Sequence, residues 1–131
     1  MHIKFVLICR RAIFKNIAFT IYAVSDMKKA KEFYEGILGL VPGTEFNSDQ
    51  WTEYDVGEGT FALGCAPGQW KPSEDGASVA FEVDDFDATV QKLKDHKVEF
   101  KVEPQTYPTC QMAAVRDPDR NVIAIHKKKH A

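Results

Sequence analysis

Apolar and polar residues follow one another along this chain in two rhythms, and each change of rhythm marks an element. Residues 16–24, NIAFTIYAV, are dense in β-branched and aromatic types, as a strand requires. Ser25 or Asp26 then offers a helix N-cap, and Met27, Ala30, Phe33, Tyr34, Ile37 and Leu38 recur at steps of three and four. Lys28, Lys29, Lys31, Glu32 and Glu35 fill the opposite face, so the spacing predicts an amphipathic helix with one buried stripe. Gly36 and Gly39 end it. Strands are predicted over 43–46, 51–56 and 60–65, the last two joined by the turn Gly57-Glu58-Gly59.

After the connector APGQWKPSEDG, the pattern starts again: a strand over 78–83, a cap at Asp84-Asp85, a helix over 86–96, and strands over 100–106, 112–116 and 122–127. Setting VSDMKKAKEFY over VDDFDATVQKL pairs Val24 with Val83, Asp26 with Asp85, Met27 with Phe86 and Tyr34 with Leu93. The chain therefore reads as an internal duplication. The expected fold class is α+β: a βαβββ module over 16–66, a connector over 67–76, a second βαβββ module over 77–128 and a short tail over 129–131, together one domain. Residues 1–15 are read as an N-terminal extension or an extra strand. Either module alone would leave a sheet face and an edge bare, so two curved mixed sheets around a shared cleft, helices outside, are expected. Function belongs in that cleft.

Composition narrows the partners. A net charge of −2 and a pI near 6.1 give no basic surface for nucleic acid or anionic lipid. The apolar run at Ile3 to Cys9 is too short for a membrane span. Cys9, Cys65 and Cys110 are odd in number and far apart, which points to reduced thiols and a cytoplasmic setting. A small-molecule ligand is the expected partner, in a homodimer.

The duplication, with VSDMKKAKEFYEGILGL early and VRDPDRNVIAIH late, resembles the vicinal oxygen chelate superfamily of glyoxalase I, extradiol dioxygenases and bleomycin resistance proteins, over about residues 16 to 128. In its metal-using members the resemblance implies four ligands, commonly two histidines and two carboxylates. Carried over by motif, those positions fall at Phe19, near Leu63 (flanked by Ala62 and Gly64), at Ser78 and at Ala124. A divalent ion needs several nitrogen or oxygen donors at about 2.0–2.2 Å, which these side chains do not provide. The expectation is a metal-free member with no cofactor. The family's usual glycine in the late turn is also replaced, by Arg120, which is strained unless Asn121 takes the left-handed residue.

Strand alternation extends the inward positions from Phe19 to Ile21, from Ser78 to Ala80 and Glu82, and from Ala124 to His126. Glu82 and His126 are the titratable candidates for orienting a ligand or moving a proton, each weighed against a plain solvated position. Cys110 and Met112 alternate on one strand face, where a thiol is usually a small hydrophobe. Trp51, Tyr54, Trp70 and Phe46 are candidates for stacking on a flat ligand, set against core packing. The expected ligand set is thus Phe19, Ile21, Trp51, Leu63, Ser78, Ala80, Glu82, Cys110, Met112, Ala124 and His126.

The resulting expectation is a glyoxalase or bleomycin resistance-like protein that holds a small, partly apolar or aromatic molecule without a metal. The alternatives are a lyase, isomerase or dioxygenase with a relocated metal site or Glu/His acid-base chemistry, and a structural role in which the cleft is closed and the outer sheet surface or the N-terminal segment recruits another protein.

Overall fold

The structure, a computed structural model, describes Ile13 and residues 17–129, with the backbone alone for 44–47. The first module runs β1 (Thr20–Ala23), α1 (Met27–Lys31) with its π-helical continuation (Glu32–Ile37), β2 (Pro42–Asn47), β3 (Trp51–Val56) and β4 (Gly59–Gly64). The second runs β5 (Val79–Glu82), α2 (Phe86–Asp95), β6 (Phe100–Thr106), β7 (Cys110–Arg116) and β8 (Val122–Lys128). The two four-stranded sheets have equivalent orders, β1-β4-β3-β2 and β5-β8-β7-β6. In each, the first strand pairs parallel to the last and the other pairs are antiparallel. This is the mixed α+β duplication read from the sequence.

The two helices start alike. Asp26 and Asp85 sit in extended backbone and accept from the N–H groups of Lys29 and Ala88, which satisfies one of the orphan donors of each first turn. They end differently. After Lys31 the first helix widens into a π-helical turn, with the Leu38 N–H donating to the Phe33 carbonyl at 2.9 Å. The wider turn buries the adjacent Phe33 and Tyr34 together, where the three-and-four spacing alone predicts an ordinary helix.

One core joins the modules. Tyr22, Phe33, Tyr34, Tyr54, Phe61 and Leu63 of the first pack in a single cluster with Leu93, Ala113, Val115, Ile123 and Ile125 of the second. Phe61 and Phe81 meet edge-on across the junction at 5.4 Å. Polar contacts reinforce it. The Tyr22 hydroxyl donates to the Val122 carbonyl at 2.6 Å and accepts from the Val79 N–H, and Tyr34 donates to Asp117 at 2.8 Å.

The late turn is the second clamp. Asp117 accepts from the N–H groups of Asp119 and Asn121, Asn121 donates to the Ala23 carbonyl, and Asp119 accepts from Ser25. Arg120 itself takes the left-handed conformation, at φ 72°, so the alternative of Asn121 taking it does not occur. Its guanidinium bonds Glu74 and Glu99.

The first strand is shorter than its sequence pattern: β1 begins at Thr20, and Ile17 to Phe19 lie outside the ladder. The extension read over 1–15 lies outside the described residues except for Ile13, which is exposed. Cys65 to Ser78 contain neither helix nor strand. No helix among the described residues is long and apolar enough to cross a membrane.

Candidate functional site

Register assigns each strand residue to the face covered by helix and core or to the open face of its sheet. Directly paired residues share a face, so the buried Tyr22 carries Leu63 with it into the core, while Ile21 pairs with Ala62 and Ala23 with Gly64. Leu63 is therefore a core residue, 0% exposed, and Ala62 and Gly64 take the open-face positions. The signal was present in TFALG, where the bulky apolar residues Phe61 and Leu63 are in phase with each other.

On the first sheet the open face is an aromatic platform. Trp51 pairs with Gly64 and Glu53 with Ala62, which places both side chains beside Ile21. Phe19, 42% exposed, packs edge-on against the Trp51 ring at 5.4 Å. Gly64 leaves room for this: a Cβ there would lie 2.9 Å from the tip of Ile21, which would have to shift, and 3.5 Å from the Trp51 ring. The indole N–H donates to Glu53 at 2.8 Å, which fixes the plane of the ring. Sequence reasoning missed Glu53, although the alternation in WTEYDV puts it in phase with Trp51. Of the other stacking candidates, Tyr54 is wholly buried with its hydroxyl on Glu35, and its pKa is driven up by burial and then by that carboxylate. Trp70 is half exposed on the connector, and the Phe46 side chain lies outside the described residues.

The second sheet carries the polar half. Glu82 and His126 are direct partners on β5 and β8, and Nδ1 of His126 lies 2.6 Å from Oε1 of Glu82. The other carboxylate oxygen accepts the Lys128 N–H at 2.7 Å. These hydrogen bonds, that with His126 first, hold the Glu82 carboxyl below the usual carboxylate range, so it is ionised at neutral pH. Ala80 pairs with Ala124 and Met112 with His126, so these four share a face with Glu82, and Cys110 lies two residues before Met112 on β7, in phase with it. Ser78 precedes β5 and is exposed. The structure thus brings Glu82, His126, Ala80, Ala124, Met112 and Cys110 to one sheet face, and Phe19, Ile21 and Trp51 to the other sheet. The contacts that join the modules, such as Tyr22–Val122, Tyr34–Asp117, Asn121–Ala23 and Phe61–Phe81, use core-side or loop groups.

The side chains at the family's metal-ligand positions do not fit a divalent metal. Phe19, Ala62, Gly64 and Ala124 offer no side-chain donor, and no three His, Cys, Asp or Glu converge among the described residues.

Comparison with known proteins agrees with this duplicated architecture. The sequence model of the Glyoxalase/Bleomycin resistance protein/Dioxygenase superfamily matches residues 16–125, and the chain belongs to that superfamily. The chain is also 31% identical over 117 residues to the uncharacterized protein YraH of Bacillus subtilis (strain 168), covering 79% of this chain and 91% of that one. Among solved structures, a glyoxalase/dioxygenase from Nostoc punctiforme superposes with a TM-score of 0.76 at 20% identity, over 92% of this chain and 99% of that chain. TnmS3, an antibiotic binding protein from Streptomyces sp. CB03234, superposes with a TM-score of 0.71 at 22% identity, over 91% of this chain and all of that one.

Proposed function

We propose that this protein binds a small, partly apolar or aromatic molecule, without a metal, on the open faces of its sheets. The observation that carries this reading is the Phe19–Trp51 pair, held over Ile21 and the small residues Ala62 and Gly64. Aromatic faces with little flanking bulk favour a flat ligand, and apolar contact contributes about 25 cal/mol per Å² before ordering costs. Glu82 and His126 supply the polar anchor: with Nδ1 turned to Glu82, Nε2 of His126 is the nitrogen left for a ligand hydroxyl or N–H. The antibiotic-binding relative of the same fold supports a binding role. The reading includes a cytoplasmic homodimer.

The test is native mass spectrometry of the full chain with elemental analysis for zinc, nickel, iron and manganese. A dimer mass without stoichiometric metal, and saturable quenching of Trp51 by planar aromatic compounds, is the expected result. About one metal per chain overturns it. A second reading, acid-base catalysis, rests on the same 2.6 Å contact, since a carboxylate-oriented imidazole can accept a proton through Nε2. It requires turnover that Glu82→Gln and His126→Gln each abolish.

A further inference from the structure

The two modules enclose a crevice that is separate from the open sheet faces. It has a volume of about 250 Å³ and lies where Ile37, Leu38, Leu40 and Val56 of the first module approach Phe81 and Leu93 of the second. Ile37, the last residue of the π-helical turn, forms part of its wall. The apolar walls come from both modules, so neither builds the crevice alone.

Its polar rim consists of Thr89, Lys92 and Glu82. Two of these are already engaged. The Thr89 hydroxyl donates to the Asp85 carbonyl, and the Glu82 carboxylate is bonded to His126 and the Lys128 N–H on the opposite face of β5. The Lys92 carbonyl accepts from the His96 N–H, but its ammonium has no hydrogen-bond or ion-pair partner among the described residues. Among the described residues that line it, the apolar crevice therefore presents one available charge, and that charge is positive.

We infer that this crevice is a second binding site, for a small aliphatic carboxylate whose chain lies between the modules and whose head group meets Lys92. At about 30 Å³ per water-sized unit, the volume suits a chain of roughly six to eight carbons. A ligand of this size in a partly open crevice binds weakly, with Kd of about 0.1–1 mM. The ammonium is exposed to solvent, so it favours carboxylate over a neutral head group by no more than about fivefold.

The experiment is methyl-resolved NMR titration of the full chain with octanoate and with 1-octanol. Octanoate is expected to shift the methyls of Ile37, Leu40 and Leu93 saturably, with octanol about threefold to fivefold weaker. Lys92→Gln should erase that difference while leaving octanol binding unchanged, and Leu40→Trp, which fills the crevice, should abolish both. Absence of saturable shifts up to several millimolar overturns the site, and equal affinities in the native protein overturn the role of Lys92. Shifts centred on Ile21 with the crevice methyls unmoved also overturn it, while leaving the open-face binding reading intact. Lys92→Gln decides the matter even if Leu40→Trp does not fold.

Discussion

The two modules share strand order, helix caps and parallel first-to-last pairing, yet they are built from different side chains. The first contributes the rings Tyr22, Phe33, Tyr34, Tyr54 and Phe61 to the core, and the second mostly aliphatic residues such as Leu93, Val115, Ile123 and Ile125. Their open faces differ in the same way, aromatic around Trp51 and polar around the Glu82–His126 pair. Under the proposed function, the duplicated backbone would divide the labour of binding between two surfaces: shape on one sheet, hydrogen bonding on the other. Tyr22 and Tyr34 of the first module also anchor in the second, so the halves are not interchangeable.

The sharpest way to break this asymmetry is at Phe61, which touches Tyr22, Tyr34, Tyr54 and Phe81. Phe61→Ala is expected to cost about 3–5 kcal/mol in denaturant melts. Ile125→Val, the smaller deletion in the aliphatic half, is expected to cost about 0.5–1.5 kcal/mol. Equal losses would show that the aromatic junction has no special place in the core.

Next in size is the Tyr22 hydroxyl. Tyr22→Phe leaves the Val122 carbonyl and the Val79 N–H without their partner, a loss of about 1–3 kcal/mol. A melt unchanged from the native protein would mean that water replaces the hydroxyl.

Binding should divide along the same line. Trp51→Ala is expected to weaken retention of a planar aromatic ligand by about tenfold, against about threefold for Glu82→Gln, since loss of ring area outweighs loss of one exposed polar contact. The reverse order, measured by competition, would assign recognition mainly to the second sheet.

A smaller effect concerns acid. Glu82 and Glu99 have depressed folded pKa values, through hydrogen bonds to His126 and Arg120 respectively, so their stabilisation is present above the ordinary carboxylate pKa and is lost as pH falls through the folded values. Asp117 runs the other way. Burial raises its pKa despite its hydrogen bonds from Asn121 and Tyr34, so its contribution is full below the ordinary value and is lost as pH rises through the folded one. The opposed slopes partly cancel, and Asp117→Asn should lose stability more steeply on acidification from pH 6 to pH 3. An unchanged slope would show that Asp117 does not titrate in this window.

Smallest is the backbone at Arg120. Arg120→Gly and Arg120→Ala remove the same ion pairs, but only glycine relieves the left-handed conformation, so the alanine variant should melt lower. Identical melts would mean that the turn relaxes without cost.

The sequence by itself determined the elements and their repetition, because caps, turn residues and apolar spacing act over a few residues. β3 and β6 occupy the spans that their patterns predict, 51–56 and 100–106. It also determined that Phe19 and Ala124 carry no metal donor, since residue type alone settles that. Only the tertiary structure decided the rest. The Glu82–His126 contact joins residues 44 apart through parallel pairing, and the placement of Leu63 in the core depends on which face of β4 meets the helix. The π-helical turn satisfies Tyr34 through Asp117, 83 residues away, a partner that no local spacing encodes. Register follows from strand pairing within each sheet, and the crevice from packing one module on the other, and that energy is shared among distant residues.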